Sequence, residues 1–105
     1  MKSRITIIGG MGPQASLDLH RRLLDRAILL GSQSGGEFPE IRHLSLPIDD
    51  FISDETKTSA ALGLISGSLE RLDFGDQDKL VIACNTAHLL VPTLETRHNV
   101  HFTSL

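Results

Sequence analysis

The chain has 105 residues, 40% hydrophobic and 22% charged, with four aromatics and a net charge of −3. That length supports one small α/β domain, residues 1–105, burying roughly two-thirds of its unfolded surface, and mild acidity with scattered basic residues gives no basic stripe for nucleic acid or an anionic membrane. No window approaches the roughly 20 apolar residues of a membrane span, and the single cysteine excludes an internal disulfide framework.

In chain order, "MKSRITIIGG" has too short an apolar run for a signal segment. The cytoplasm is therefore the default compartment. Residues 4–10, "RITIIGG", read as a buried strand closed by a tight turn. The next segment carries Leu19, Leu23, Leu24, Ala27 and Ile28 at helical spacing, with Pro13 suited to its first turn and Gly31 to its stop. Along it, Arg21, Arg22 and Arg26 alternate with Asp18 and Asp25, the pattern of a solvated helix face. "SQSGGEFPE" reads as loop, and 41–47, "IRHLSLP", as a second strand ended by proline. "IDDFISDE" is a loop that offers Ser53 or Asp54 as a helix cap. Ala61, Leu62, Ile65, Leu69 and Leu72 then mark a helix over 56–73, weakened by Gly63 and Gly67 and broken by "DFGDQD". "KLVIACN", 79–85, is a third strand, and "TAHLLVPTLETRHN" a third helix that Pro92 kinks or restarts. "VHFTSL" opens a fourth strand. The order β-α-β-α-β-α-β, with strands apolar throughout, predicts an open parallel sheet of about four strands covered by helices on both faces.

Ligands of open parallel sheets bind beyond the carboxyl ends of the strands, and two stretches fall there. In "GGMGPQAS", Gly9, Gly10 and Gly12 allow close backbone approach, and the amides after them open a helix whose N-terminus favours an anion. A plain strand–helix turn accounts for the same glycines. The stretch does not fit G-x-G-x-x-G, and no Gly-Lys-Ser/Thr comes after it to make a phosphate loop. In "VIACNTAH", Cys84 ends the third strand, where the N-terminus of the next helix favours a reachable thiolate and Asn85 and Thr86 supply polar groups at the same rim. The alternative is a small buried hydrophobe. His88 lies one helical turn on, either bonded within the turn or partnered with the thiol. His20, His43, His98 and His101 show no metal-ligand spacing. The acids of "DDFISDE" read as solvated loop acids, and Lys57 is either exposed or set to meet a substrate carboxylate.

Taken together, "IIGGMGPQAS" and "VIACNTAH" resemble the aspartate/glutamate racemase family, which carries G-G-M-G-P-x-A-T after its first strand and A-C-N-T-A-H after a later one. Ser16 stands where threonine is usual. The resemblance covers essentially the whole chain. It implies cofactor-independent racemisation of an amino acid, in which one thiolate removes the α-proton and a second thiol returns a proton to the opposite face. On this reading Cys84 is one catalytic acid/base. Asn85 and Thr86 hold the α-amino and α-carboxylate groups, and Gly10, Met11 and Gly12 donate amides to a carboxylate. No metal is implied.

The family has a second similar lobe that carries the second cysteine, so this chain is similar to the first lobe of a partial racemase. An arginine that some aspartate-specific members place after the second strand is replaced here by "SLPIDDFISD". The expected partners are a small amino acid and a second copy of the chain, paired as a homodimer or through the exposed lobe face. Two other readings stay open. One is a single-cysteine decarboxylase or isomerase relative; the other is a non-catalytic half-domain that binds a carboxylate or docks on another chain.

Overall fold

The β-branched run at the amino end supplies the middle of the sheet. In the computed structural model, which describes residues 4–51, 53–84 and 86–103, β1 (Arg4–Gly9) lies between β2 (Glu40–Ser45) and β3 (Asp78–Ile82), all parallel, in the order β2-β1-β3. Ile7 aligns with His43 and Val81, and Ile8 with Leu44 and Ile82. Alternation along a strand therefore sends these two sets to opposite faces.

One face carries the core. Ile8, Leu80 and Ile82 pack with Ala61, Ile65 and Leu69 of α2 (Glu55–Arg71), Leu94 of α3 (Val91–His98) and Phe102. Asp54 starts α2 as expected: its carboxylate accepts from the backbone N–H groups of Thr56 and Lys57. The other face lies under α1 (Pro13–Leu29), which begins at Pro13 and stops before Gly31 at φ +109°. There Ile7 is fully buried, but Ser16 is the one buried residue of α1. At roughly 1.5–3 kcal/mol per buried large aliphatic side chain, the α2/α3 face holds most of the stability.

The structure is coarser than one expectation and sharpens another. The fourth strand is reduced, among the described residues, to a single parallel bridge between Leu80 and Phe102, with the Thr103 N–H donating to the Leu80 carbonyl at 2.7 Å. Asn99 ends α3 in the left-handed conformation at φ 52°, so few described residues remain to build a ladder, and residues 104–105 lie outside the description. The third helix restarts at Val91, as expected from Pro92, which lies in the first turn of α3; the part before it, Thr86–Leu90, is a 3₁₀ turn and not α-helix. A further 3₁₀ turn, Gly35–Glu37, interrupts the first long loop, closed by a capping box between Ser34 and Glu37.

Candidate active site

Chain winding reverses at β1. The crossover through α1 adds β2 on one side, and the crossover through α2 adds β3 on the other. Such a switch point leaves a crevice beyond the carboxyl ends of the central strands. A cleft of about 480 Å³ lies there, lined by Met11 and Gly12 after β1, by Ile48, Asp49, Asp50 and Phe51 after β2, and by Cys84 after β3. Its volume suits a small metabolite. A larger hollow, about 570 Å³, runs along one side of α1 between Gln14 and Leu24. Its walls come from α1 alone, whereas the cleft draws residues from after all three strands, so the cleft is the better candidate for chemistry.

The glycines of the first turn divide by role. A Cβ on Gly9 would fall on the buried Ser16 side chain, whose hydroxyl donates to the Pro13 carbonyl at 3.1 Å. At Gly10, with φ +110°, a Cβ would fall on the Leu46 backbone, and the Leu46 N–H donates to the Gly9 carbonyl at 2.8 Å. Both positions are explained by close packing of the turn against α1 and the end of β2. Gly12 differs. Its φ of −76° is ordinary, a Cβ there would meet only Oε1 of Gln14, and it lines the cleft. Gly10 is not among the lining residues.

As N-cap of α1, Gly12 leaves the helix without a side-chain cap, and the first turn holds no acid. The Gln14 and Ala15 N–H groups therefore keep hydrogen-bonding capacity at a positive helix end beside the cleft. At the start of α2, by contrast, Asp54 occupies the equivalent donors.

Cys84 is a half-buried free thiol that packs against the core and lines the cleft. The 3₁₀ turn lies beyond it in place of the α-helix expected there, so a full helix dipole does not sit behind the sulfur. Asn85 lies outside the described residues, and Thr86 is described by its backbone alone. His88 is exposed and does not line the cleft; neither does Lys57. Among the described residues no cluster of three or more metal-ligating side chains occurs. His98 instead meets the Ser66 hydroxyl at 2.9 Å, and His101 lies 3.2 Å from Glu95.

The structure adds Asp49 and Asp50 to the site, although their loop after β2 has the composition of a solvated one. The available signal is positional: they come after the proline that ends a parallel strand, where ligands gather. Among the described residues, those lining the cleft include these carboxylates and no Lys or Arg. No helix among the described residues is long and apolar enough to cross a membrane. Compared with known proteins, the chain matches no family model and no curated protein.

Proposed function

We propose that this chain is the first lobe of a cofactor-independent amino-acid racemase of the aspartate/glutamate type, with Cys84 as a thiol acid/base at the substrate Cα. The observation that carries the reading is the meeting of Cys84 with Met11 and Gly12 in one cleft at the switch point, from motifs more than 70 residues apart. A carboxylate seated on the uncapped start of α1 and the Met11–Gly12 turn brings its α-carbon toward the sulfur. The acids Asp49 and Asp50 favour the α-ammonium on that side and disfavour a second carboxylate. A neutral or cationic side chain therefore suits the cleft better than aspartate. Asn85 and Thr86 are proposed to complete the grip on the α-amino and α-carboxylate groups.

In the reaction the thiolate takes the Cα proton, and the C–H electron pair moves into the carboxylate as an enediolate held by backbone N–H groups. Returning the proton from the same sulfur restores the original enantiomer. Inversion needs an acid on the opposite face, and the chain has one cysteine. That acid must come from elsewhere. Pairing is proposed through α1 and its C-cap, where Leu17, Ile28, Leu29 and Leu30 are exposed.

The test is proton NMR of L- and D-amino acids in D₂O with the full chain and with Cys84→Ser. A single thiol serves one face, so one enantiomer of a pair loses its α-proton signal, with chirality kept by the unpaired chain and inverted where pairing supplies the opposite acid, while the serine variant is silent. Exchange that survives Cys84→Ser, or no exchange of any amino acid by the folded chain, sinks the proposal.

A further inference from the structure

α1 is fastened to the sheet at few points. Beyond its first turn, where Ser16 is buried, the next polar attachment is between His20 and His43 of β2. Their Nδ1 atoms lie 3.0 Å apart, with ring centroids 5.1 Å apart and planes tilted by 58°. Two imidazole nitrogens facing each other at that distance need one proton between them: one ring donates its N–H and the other accepts with its lone pair. A second proton would set two donors head to head, and the contact would open.

The surroundings offer a second charge no relief. His43 Nε2 is buried and has no partner among the described residues, so a cationic His43 would find no acceptor there to share its charge. On β1, the residue in register with His43 is Ile7. On β2, the adjacent Arg42 turns to the opposite face, where it donates to Thr6 and Asp73. On α1, Asp18 and Arg21 share the flank of His20, but Asp18 already accepts from Arg21 at 3.0 Å and Arg22 at 2.8 Å. Burial first, and then the nearby His20, hold the His43 imidazole below its ordinary value of 6.5.

We propose that His20 and His43 form a shared-proton clasp that holds α1 on the sheet at neutral pH and releases it on acidification. The clasp stands independently of the chemistry proposed for Cys84. It bears on the cleft nonetheless, because α1 begins at the turn that supplies Met11 and Gly12. Linkage gives the sign: with the folded imidazole depressed, the open state binds protons first, so the closed state is fully favoured above about 6.5 and loses ground as pH falls.

The experiment is hydrogen–deuterium exchange of the full chain at about pH 7.5 and about pH 5.5, corrected for intrinsic exchange, with α2 as internal reference. Protection across Leu17 to Ala27 is expected to fall on acidification, by at most about tenfold per pH unit for one coupled proton, while α2 holds. His43→Gln keeps an acceptor for His20 and does not titrate, so its α1 protection is expected to be flat. Equal α1 protection of the wild type at both pH values overturns the proposal. NMR of the wild-type imidazoles decides without any variant. Joint titration of both rings with shifts in the α1 amides supports the clasp, and independent titration with α1 unmoved overturns it.

Discussion

At the amino ends of the strands, Arg4 donates Nε and Nη2 to the two oxygens of Asp78 at 2.8 Å each, and the Asp73 carbonyl accepts from Arg4 at 3.0 Å and from Arg42 at 2.9 Å. Arg42 also stacks over Phe74 at 5.1 Å. At the carboxyl ends, Met11, Gly12, Asp49, Asp50 and Cys84 surround a cleft, and the helix that opens on it is uncapped. The first end matches charge to charge and ties the loop after α2 to β1 and β2. The second gathers two acids at a cleft and leaves the donors of the helix that opens on it without a side-chain cap. Satisfied polar groups fix a structure; donors left with capacity are available to a ligand. That contrast, more than any single residue, makes the carboxyl end of the sheet the candidate for binding.

The largest effect on stability is expected where two demands, a left-handed backbone and a close approach, meet in one turn. Gly10→Ala forces a β-carbon into the left-handed region and onto the Leu46 backbone. The conformation alone costs about 1–2 kcal/mol, and displacing Leu46 brings the total to roughly 3 kcal/mol or more. Thermal unfolding should shift down by roughly 10 °C or more. Gly12→Ala, two residues on, should cost about 1 kcal/mol or less, the loss of a glycine N-cap, yet impair exchange at Cα. Equal destabilisation by the two variants would erase the distinction between a packing glycine and a cleft glycine.

Next comes the paired end, through pH. Hydrogen bonds from Arg4, then from the Gly75 backbone, hold the Asp78 carboxyl down at about 2 against an ordinary 3.8. A depressed carboxylate stabilises the fold fully above 3.8, and that stability is lost as pH falls toward 2. The melting temperature of the wild type should drop through this window. Asp78→Asn should start lower at neutral pH and drop less steeply. Parallel curves for the two proteins would mean that the network at the amino end does not carry acid stability.

Local signals in the sequence locate most of the fold. Pro13, Gly31 and Asp54 bound the helices because each acts through its own backbone. The two motifs locate Cys84, Met11 and Gly12 because strand ends are readable from where apolar runs stop. The illegible part depends on contacts distant in sequence. Arg4 and Asp78 are 74 residues apart, and His20 and His43 are 23 apart, so no spacing rule joins either pair. The expected fourth strand is only begun among the described residues, for a related reason. "VHFTSL" has strand propensity, but a ladder needs length and an edge to run along, and a single bridge to Leu80 is what the described residues reach. The acids after β2 hide for the same cause: composition says loop, and only the sheet order says which loops share the switch point.

The smallest effect on stability is expected at Cys84, where the contrast between the ends is sharpest. Its side chain is half-buried and packs against the core at one side, so Cys84→Ser exchanges one small atom for another at a boundary. A change of about 1 kcal/mol or less in urea unfolding is expected, with the slope unchanged. A serine hydroxyl is far less acidic than a thiol, so the same variant should lose α-proton exchange altogether. If the unfolding free energy instead falls by several kcal/mol, as for a large-to-small change in the interior, the sulfur serves the core. The carboxyl end would then be a packed surface like its opposite, and the chemistry assigned to the cleft would have no acid or base to perform it.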